Sequence, residues 1–416
     1  MRAIPVLLAS ALLGAGAIGA VVKLSPASPS VFHGDWERHR AGPDSGRVAI
    51  LLDALGKTDP VICEMLGDQI GNFWSGGDEN GIGRLAGGNS SVRAAKDSIG
   101  GTITDPRAIE RLIVELNAQN TCVRRVASKM LGQSVITANR LTSLLNDASP
   151  TVREAAALAA GNGEHKELRL ALEKSLADRV PAVAAMSAWA LGELEDHGSV
   201  PVLVNAVHST EPRVRLAAIW ALGQLEDARA VPVVVPALRD AEPNVRAMSA
   251  EVLGKFKNQE TLVPLERALS SDTDPRVRVA AASALGEISA ATSLRALGGA
   301  LDDADITVRR AAASALGELD DSHIAPPNLV KALSSTDPEL RHLAAASLCS
   351  IADPTTTPAL IGLLADPDAE LRKNAIEALG NIGSPSAISG LTKALGDKDP
   401  HVRRAAAEAL GEIKEK

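Results

Sequence analysis

Side chains able to bind metal or move protons are present, but they are poorly arranged for either. His33, Asp35, Glu37 and His39 alternate along one short stretch. Two imidazoles and two carboxylates suit a divalent metal, yet a metal site also needs a scaffold that fixes its ligands. Residues 24–46 are rich in Pro, Ser and Gly and carry no helical periodicity. Gly81-Ile82-Gly83-Arg84-Leu85-Ala86 has the spacing of a dinucleotide fingerprint. That motif works only between the strand and helix of a βαβ unit, and no strand pattern precedes it here. Asp78, Glu79 and Asn80 offer oxygens without calcium-loop spacing. The chain contains no H-E-x-x-H, no G-x-S-x-G elbow and no phosphate-binding loop. The eight His are scattered, and none shares a helix with another at a metal-ligand spacing. These residues point to a non-enzymatic protein with no cofactor and no bound metal.

Recognition chemistry is better placed. Trp189 and Trp220 occupy the same place in successive copies of a motif that recurs along most of the chain. Asp399 to Ile413 reads DPHVRRAAAEALGEI, Asp274 to Ile288 reads DPRVRVAAASALGEI, and Asp305 to Leu319 reads DITVRRAAASALGEL. The opening apolar residue of each copy falls at Val61, Val92, Val123, Val152, Val183, Val214, Val245, Val277, Val308, Leu340, Leu371 and Val402, at intervals of 29 to 32. Such a period marks stacked repeats, each too small to bury its apolar face alone.

Two helices fit each period. The second opens three residues before the apolar position with an acid, as at Glu211, Glu242, Asp274, Asp305, Asp337, Asp368 and Asp399. An acid there serves as an N-cap, and the Pro that often follows sits where a missing N–H costs nothing. Glycines at 192, 223, 254, 286, 317, 380 and 411 are read as left-handed helix ends, and Cys349 as the one replacement. Counting from the apolar residue, positions +3, +4, +5 and +7 are mostly Ala and +8 mostly Leu, which makes them packing positions. Positions +2 and +6 vary freely and share one helix face.

The repeated D-P-x-V-R-x-A-A-A-x-A-L-G motif resembles the HEAT repeat, in the short form named from phycobilisome lyases. The resemblance covers residues 47–416. It implies an all-α fold, an α-solenoid of about twelve helical hairpins with the second helices lining the concave face. The +2 and +6 columns then put Leu158, Ala185, Trp189, Leu216, Trp220 and Val279 there as an apolar strip, and Arg310, Lys373 and Arg404 as a charged end. These are the candidate partner-binding residues. Arg215, Arg246, Arg278, Arg309, Arg341, Arg372 and Arg403 fill the +1 column and read as a structural ladder, paired with the acids that open neighbouring second helices.

The function expected on this basis is a scaffold that binds a partner protein along the concave face. An alternative is an accessory or sensor subunit of a membrane-associated enzyme such as a zinc peptidase. Asp59-Pro60-Val61-Ile62-Cys63-Glu64 resembles the first repeat of exported HEAT chains that accompany such peptidases. A bilin-lyase-like or hydroxylase activity is the third reading. The hydroxylase branch uses His-Glu pairs for its iron, and this chain has only the reversed Glu164-His165.

Arg2 precedes twenty uncharged residues, Ala3 to Val22, and Lys23 closes the run. Residues 1–23 therefore read as a signal peptide or N-terminal membrane anchor, with residues 3–22 as the anchoring stretch, and residues 24–46 as a flexible linker. The resemblance to exported bacterial chains implies a periplasmic or otherwise extracytoplasmic solenoid. The formal net charge of −8 and a pI near 5.6 argue against nucleic acid as a partner. A membrane partner enters only through the N-terminal segment. Cys63 and Cys122 are two repeat openings apart and Cys349 much further on, so repeat spacing predicts three free thiols.

Overall fold

The computed structural model describes residues 45–56, 102–319 and 323–415. These lie in one compact unit that begins at Gly42. The expected leader or anchor, most of the expected linker, the glycine-rich stretch around residue 81 and the repeats opened by Val61 and Val92 fall outside the described residues.

Helix α1 (Ser45–Gly56) comes first. Paired helices follow: α2 and α3 (Pro106–Glu115, Thr121–Gly132), α4 and α5 (Ala138–Leu145, Pro150–Asn162), α6 and α7 (Arg169–Ser175, Pro181–Glu193). Next are α8 and α9 (Val200–Ala206, Pro212–Leu225), α10 and α11 (Val231–Ala237, Pro243–Lys255), α12 and α13 (Leu262–Ser271, Pro275–Ile288). Then come α14 and α15 (Leu294–Ala300, Ile306–Leu316), α16 and α17 (Pro327–Ala332, Pro338–Ile351), α18 and α19 (Thr357–Leu363, Ala369–Ile382), and α20 and α21 (Ile388–Ala394, Pro400–Glu415). Among the described residues the fold is all-α, with one isolated bridge between Ile103 and Ser134.

The second helices begin as the sequence predicts where the acid is Asp. Asp274, Asp305, Asp337 and Asp368 accept backbone N–H groups at their own helix starts. Glu211 and Glu242 occupy the same position without a side-chain cap bond. Their extra methylene carries the carboxylate past the free N–H groups.

The helix ends differ from expectation. Among the described residues, the left-handed ones are Glu164, Glu195, Glu226, Lys257, Ser289, Ala352 and Gly383, three positions beyond the glycine column. The glycines at 192, 223, 254, 286 and 380 lie inside their helices. Cys349 likewise sits within α17, so it alters no cap. What these glycines provide is proximity. A methyl group on Gly192 would lie 2.8 Å from the Cα of Ala221, and one on Gly254 would lie 2.9 Å from the Cα of Ala284. Each second helix thus presses backbone to backbone on the next.

Second helices meet their successors far more extensively than first helices meet theirs. Closer spacing on one side bends a stack toward that side. The second helices therefore line the inner face and the first helices the outer one.

At the N-terminal end the register changes. Helix α1 packs directly on α2 and α3. Ser45 donates its N–H to the Asp105 carboxylate at 2.9 Å, and Arg111 meets Asp53 at 3.5 Å. A stack in which every period adds one layer does not hold there. The prediction of three free thiols used that rule, and it fails: Cys122 is disulfide-bonded, to a partner outside the described residues. Cys349 is a free thiol, half-buried, with its Sγ taking a hydrogen bond from Asn381 at 3.1 Å.

Candidate functional site

The inner face is built on the +6 column. Trp189 projects from α7 and Trp220 from α9, and the two rings stack with centroids 6.2 Å apart. Each indole lies on a glycine of the preceding second helix. A methyl group on Gly161 would meet Trp189 at 2.6 Å, and one on Gly192 would meet Trp220 at 2.9 Å. Only a bare Cα leaves room for the ring, so glycine column and tryptophan column act together.

The expectation of an exposed apolar strip needs correction. Leu158, Ala185, Trp189 and Leu216 are buried, and Trp189 is only 7% exposed. Trp220 and Val279 are half-buried. Packing between second helices is most extensive at the α7–α9 and α11–α13 seams, with α5–α7 next. Large side chains in the columns there fill the seams between helices. Further along, the same column holds Ser283, Ser314, Ala346, Glu377 and Glu408, and all are exposed. The column faces solvent, and its large apolar members fold back out of it.

The charged end is also partly spoken for. Arg310 is held by Asp337, at 3.0 and 2.6 Å, and by Glu339. Lys373 lies 3.4 Å from Glu370 and 3.9 Å from Glu377. Arg404 is exposed, 3.7 Å from Glu408.

Half-buried carboxylates flank the tryptophans. Glu193, one turn beyond Trp189 on α7, is pushed up to about 7 by burial and by the neighbouring Glu164 and Glu195. Burial also raises Glu251, on α11. Burial raises Glu154 too, against the opposing charges of Arg124, Arg213 and Arg125.

The arginine column aligns the repeats, through different acids from those expected. Arg215 grips Asp240 at 2.7 and 2.6 Å, Arg246 grips Asp272 at 2.7 and 2.8 Å, and Arg278 grips Asp303 at 2.8 Å twice. Arg372 binds Asp397 in the same two-pronged way, and Arg153 binds Asp178. Each acid stands five residues before the next apolar opening, where the expectation placed it at three. The guanidinium also donates to carbonyls of its own turn, as Arg215 does to Ser209 and Thr210. The paired guanidinium holds the carboxyls of Asp178, Asp303 and Asp397 below the usual range. Among the described residues, Arg309 and Arg403 reach only carbonyls, and Arg341 leaves a buried Nε without a hydrogen bond. For these three the ion-pair ladder is not formed. Arg309 lacks an acid because Ser335 occupies the matching position; the structure offers no such reason for Arg341.

Among the described residues, no three His, Cys, Asp or Glu side chains converge in a way that would hold a metal. No helix among them is long and apolar enough to cross a membrane.

Comparison with known proteins agrees with this architecture. A family model described as HEAT repeats matches overlapping windows that together span residues 138–411. No curated protein matches by sequence. An engineered protein of known structure is 22% identical, covering 86% of this chain and 99% of its own, with a TM-score of 0.50. Importin beta is 15% identical, with a TM-score of 0.56 over 89% of this chain. Kap95p, whose binding moves the switch loops of RanGDP, is 13% identical with a TM-score of 0.55 over 89% of this chain. The present chain spans 57% of the importin beta chain and 56% of Kap95p.

Proposed function

The chain belongs to the HEAT-repeat family, and we propose that it is a non-enzymatic scaffold that binds a partner protein along its inner face. The observation that carries this reading is Trp220. Its indole is half-exposed, and it is fixed by the Trp189 ring and the bare backbone of Gly192. An aromatic side chain already held in place loses little freedom on association and supplies a large contact area. Arg153–Asp178 ties the Trp189 repeat to the one before it and Arg215–Asp240 ties the Trp220 repeat to the one after it, so the pair of repeats that carries the stacked rings is held at both outer seams. Kap95p, of the same fold, is a protein that engages another protein.

The test is a pair of measurements on Trp220→Ala, using the full chain as bait. Loss of about 2 kcal/mol of partner affinity, or roughly 30-fold, is expected, since buried aromatic anchors dominate interfaces. The melting temperature should fall only modestly. Unchanged retention of the partner by the variant retires the reading.

The proposal extends to location: a scaffold outside the cytoplasm, delivered by residues 1–23 and held by a membrane anchor in residues 3–22. The supporting feature is the Arg2-led apolar run. Reporters fused after Lys416 decide this, because a cytoplasmic-type reporter that is active excludes export.

A further inference from the structure

A groove of about 660 Å³ opens between α10 and α12, among the first helices and away from the tryptophan face. Val235 and Pro236 form one wall, and Val263 and Pro264 form the other. Val263 is 65% exposed. The groove falls in a repeat that is slightly longer than those just before it, as the spacing of Val214, Val245 and Val277 shows. Its first helix, α12, has 10 residues where α8, α10 and α14 have 7. The two prolines place short rigid rings where longer side chains would close the space.

Charge in this groove is one-sided. The acids that line it are Asp240 and Asp272, and both are satisfied from within the fold. Asp240 takes two bonds from Arg215 and the N–H of Glu242, and Asp272 takes two from Arg246 and the N–H of Asp274. Arg246 spans the floor and spends its remaining nitrogen on the carbonyls of Asp240 and Ala241. Arg239 and Arg267 stand exposed at the rim. Neither guanidinium has an ion pair or hydrogen bond among the described residues. Glu266 adjoins Arg267 in sequence but is not part of the lining, as adjacent helical residues point apart. The uncommitted charge is therefore positive, between apolar walls, on a chain whose net charge is −8.

We infer that this outer groove binds an acidic, extended segment of a partner protein, in which carboxylates alternate with apolar residues. The carboxylates meet Arg239 and Arg267, which suit them as planar two-pronged donors. The intervening apolar side chains lie between the Val235 and Val263 walls. Phosphate-bearing single strands also bind arginine, but they rely on aromatic platforms for base stacking, and no aromatic residue lines this groove.

The full-length chain can be titrated into a fluorescein-labelled peptide of alternating Glu and Leu at low ionic strength, with anisotropy as the readout. Saturable binding is expected, weakened roughly tenfold or more by the Arg239→Ala, Arg267→Ala double variant and by Val263→Asp. All three side chains are exposed, so melting temperatures should be unchanged. Trp220→Ala should bind the peptide like the parent, which separates this site from the inner face. The inference is overturned if the peptide does not bind, if the arginine double variant binds it equally, or if an alternating Lys–Leu peptide or an oligothymidylate binds as well.

Discussion

The indole of Trp220 stacks on that of Trp189 at 6.2 Å between centroids and 22° between planes, yet the two rings differ in burial. Trp189 is closed over by its neighbours, and Trp220 keeps an open edge. The same substitution should therefore do different things. Trp189→Ala removes a core side chain and should cost ~3–5 kcal/mol of folding stability. Trp220→Ala should cost less than ~3 kcal/mol, with its main effect on partner affinity. Urea denaturation of both variants measures this. Equal stability losses would place both rings in the core and remove the basis for recognition there.

Glycine at the inner seam makes a second contrast. In an exposed helix interior, Gly→Ala stabilises by ~0.5–1 kcal/mol. Gly411 lies in the last helix with nothing within 4 Å of an added methyl, so Gly411→Ala should follow that rule. Gly192→Ala puts the methyl 2.8 Å from the Ala221 backbone and 2.9 Å from the Trp220 ring. It should destabilise by ~1–3 kcal/mol, the usual cost of overpacking. Thermal melts of the two variants should shift in opposite directions. Stabilisation by both would mean that the seam at Gly192 has room for a methyl group and that the glycine is not needed for close approach.

Those glycines also show where sequence reading stops. Period, helix pairing, Asp caps and the Trp189–Trp220 adjacency follow from one-dimensional spacing, because a repeat turns sequence offset into spatial offset. Burial does not follow, since it depends on how far neighbouring helices close up. A free-varying column contains both the exposed Ser283 and the buried Leu158. The Arg column is legible as a ladder, but its acid is not the one that opens the next helix. At 178, 240, 272, 303 and 397 the position five before the next opening is an Asp bridged by the Arg of the preceding repeat, whereas Asp147 and Asp366 hold the same position without such a bridge from Arg124 or Arg341. Where it is Ser209, the partner position is Ala184, and where it is Ser335, Arg309 bonds only to carbonyls. The outer groove leaves no periodic signal beyond the longer step from Val245 to Val277. The packing of α1 on α2 and α3 leaves none.

The cysteines separate a rule about spacing from the fold itself. Cys122 is in a disulfide, and Cys349 is a thiol that burial and nearby Glu377 push up to about 11. Alkylation of the denatured, unreduced chain should therefore label Cys349 and leave Cys122 unlabelled until reductant is added. Native Cys349 should react slowly at neutral pH, since the thiolate is the nucleophile. Peptide mapping by mass spectrometry reads both sites. Labelling of Cys122 without reductant would restore the three-thiol expectation.

Glu193 links the inner face to pH. Its carboxyl titrates at about 7 in the fold, because it is half-buried and the charges acting on it, Glu164 and Glu195, are both negative. In the unfolded chain the same group returns to an ordinary value near 4.3. Between those values the folded state holds the proton more tightly, so the proton favours folding. That contribution is complete below the unfolded value and is lost as pH rises through about 7. Above it, the native chain carries a half-buried anion with no cation acting on it. Glu193→Gln imitates the protonated form at every pH. It should leave stability nearly unchanged at acidic pH and raise it by ~1–2 kcal/mol on the alkaline side, after allowance for solvent screening. Urea unfolding midpoints of parent and variant, taken on both sides of neutrality, give the comparison. A variant equally stable relative to the parent on both sides would mean that Glu193 is solvated in the native state.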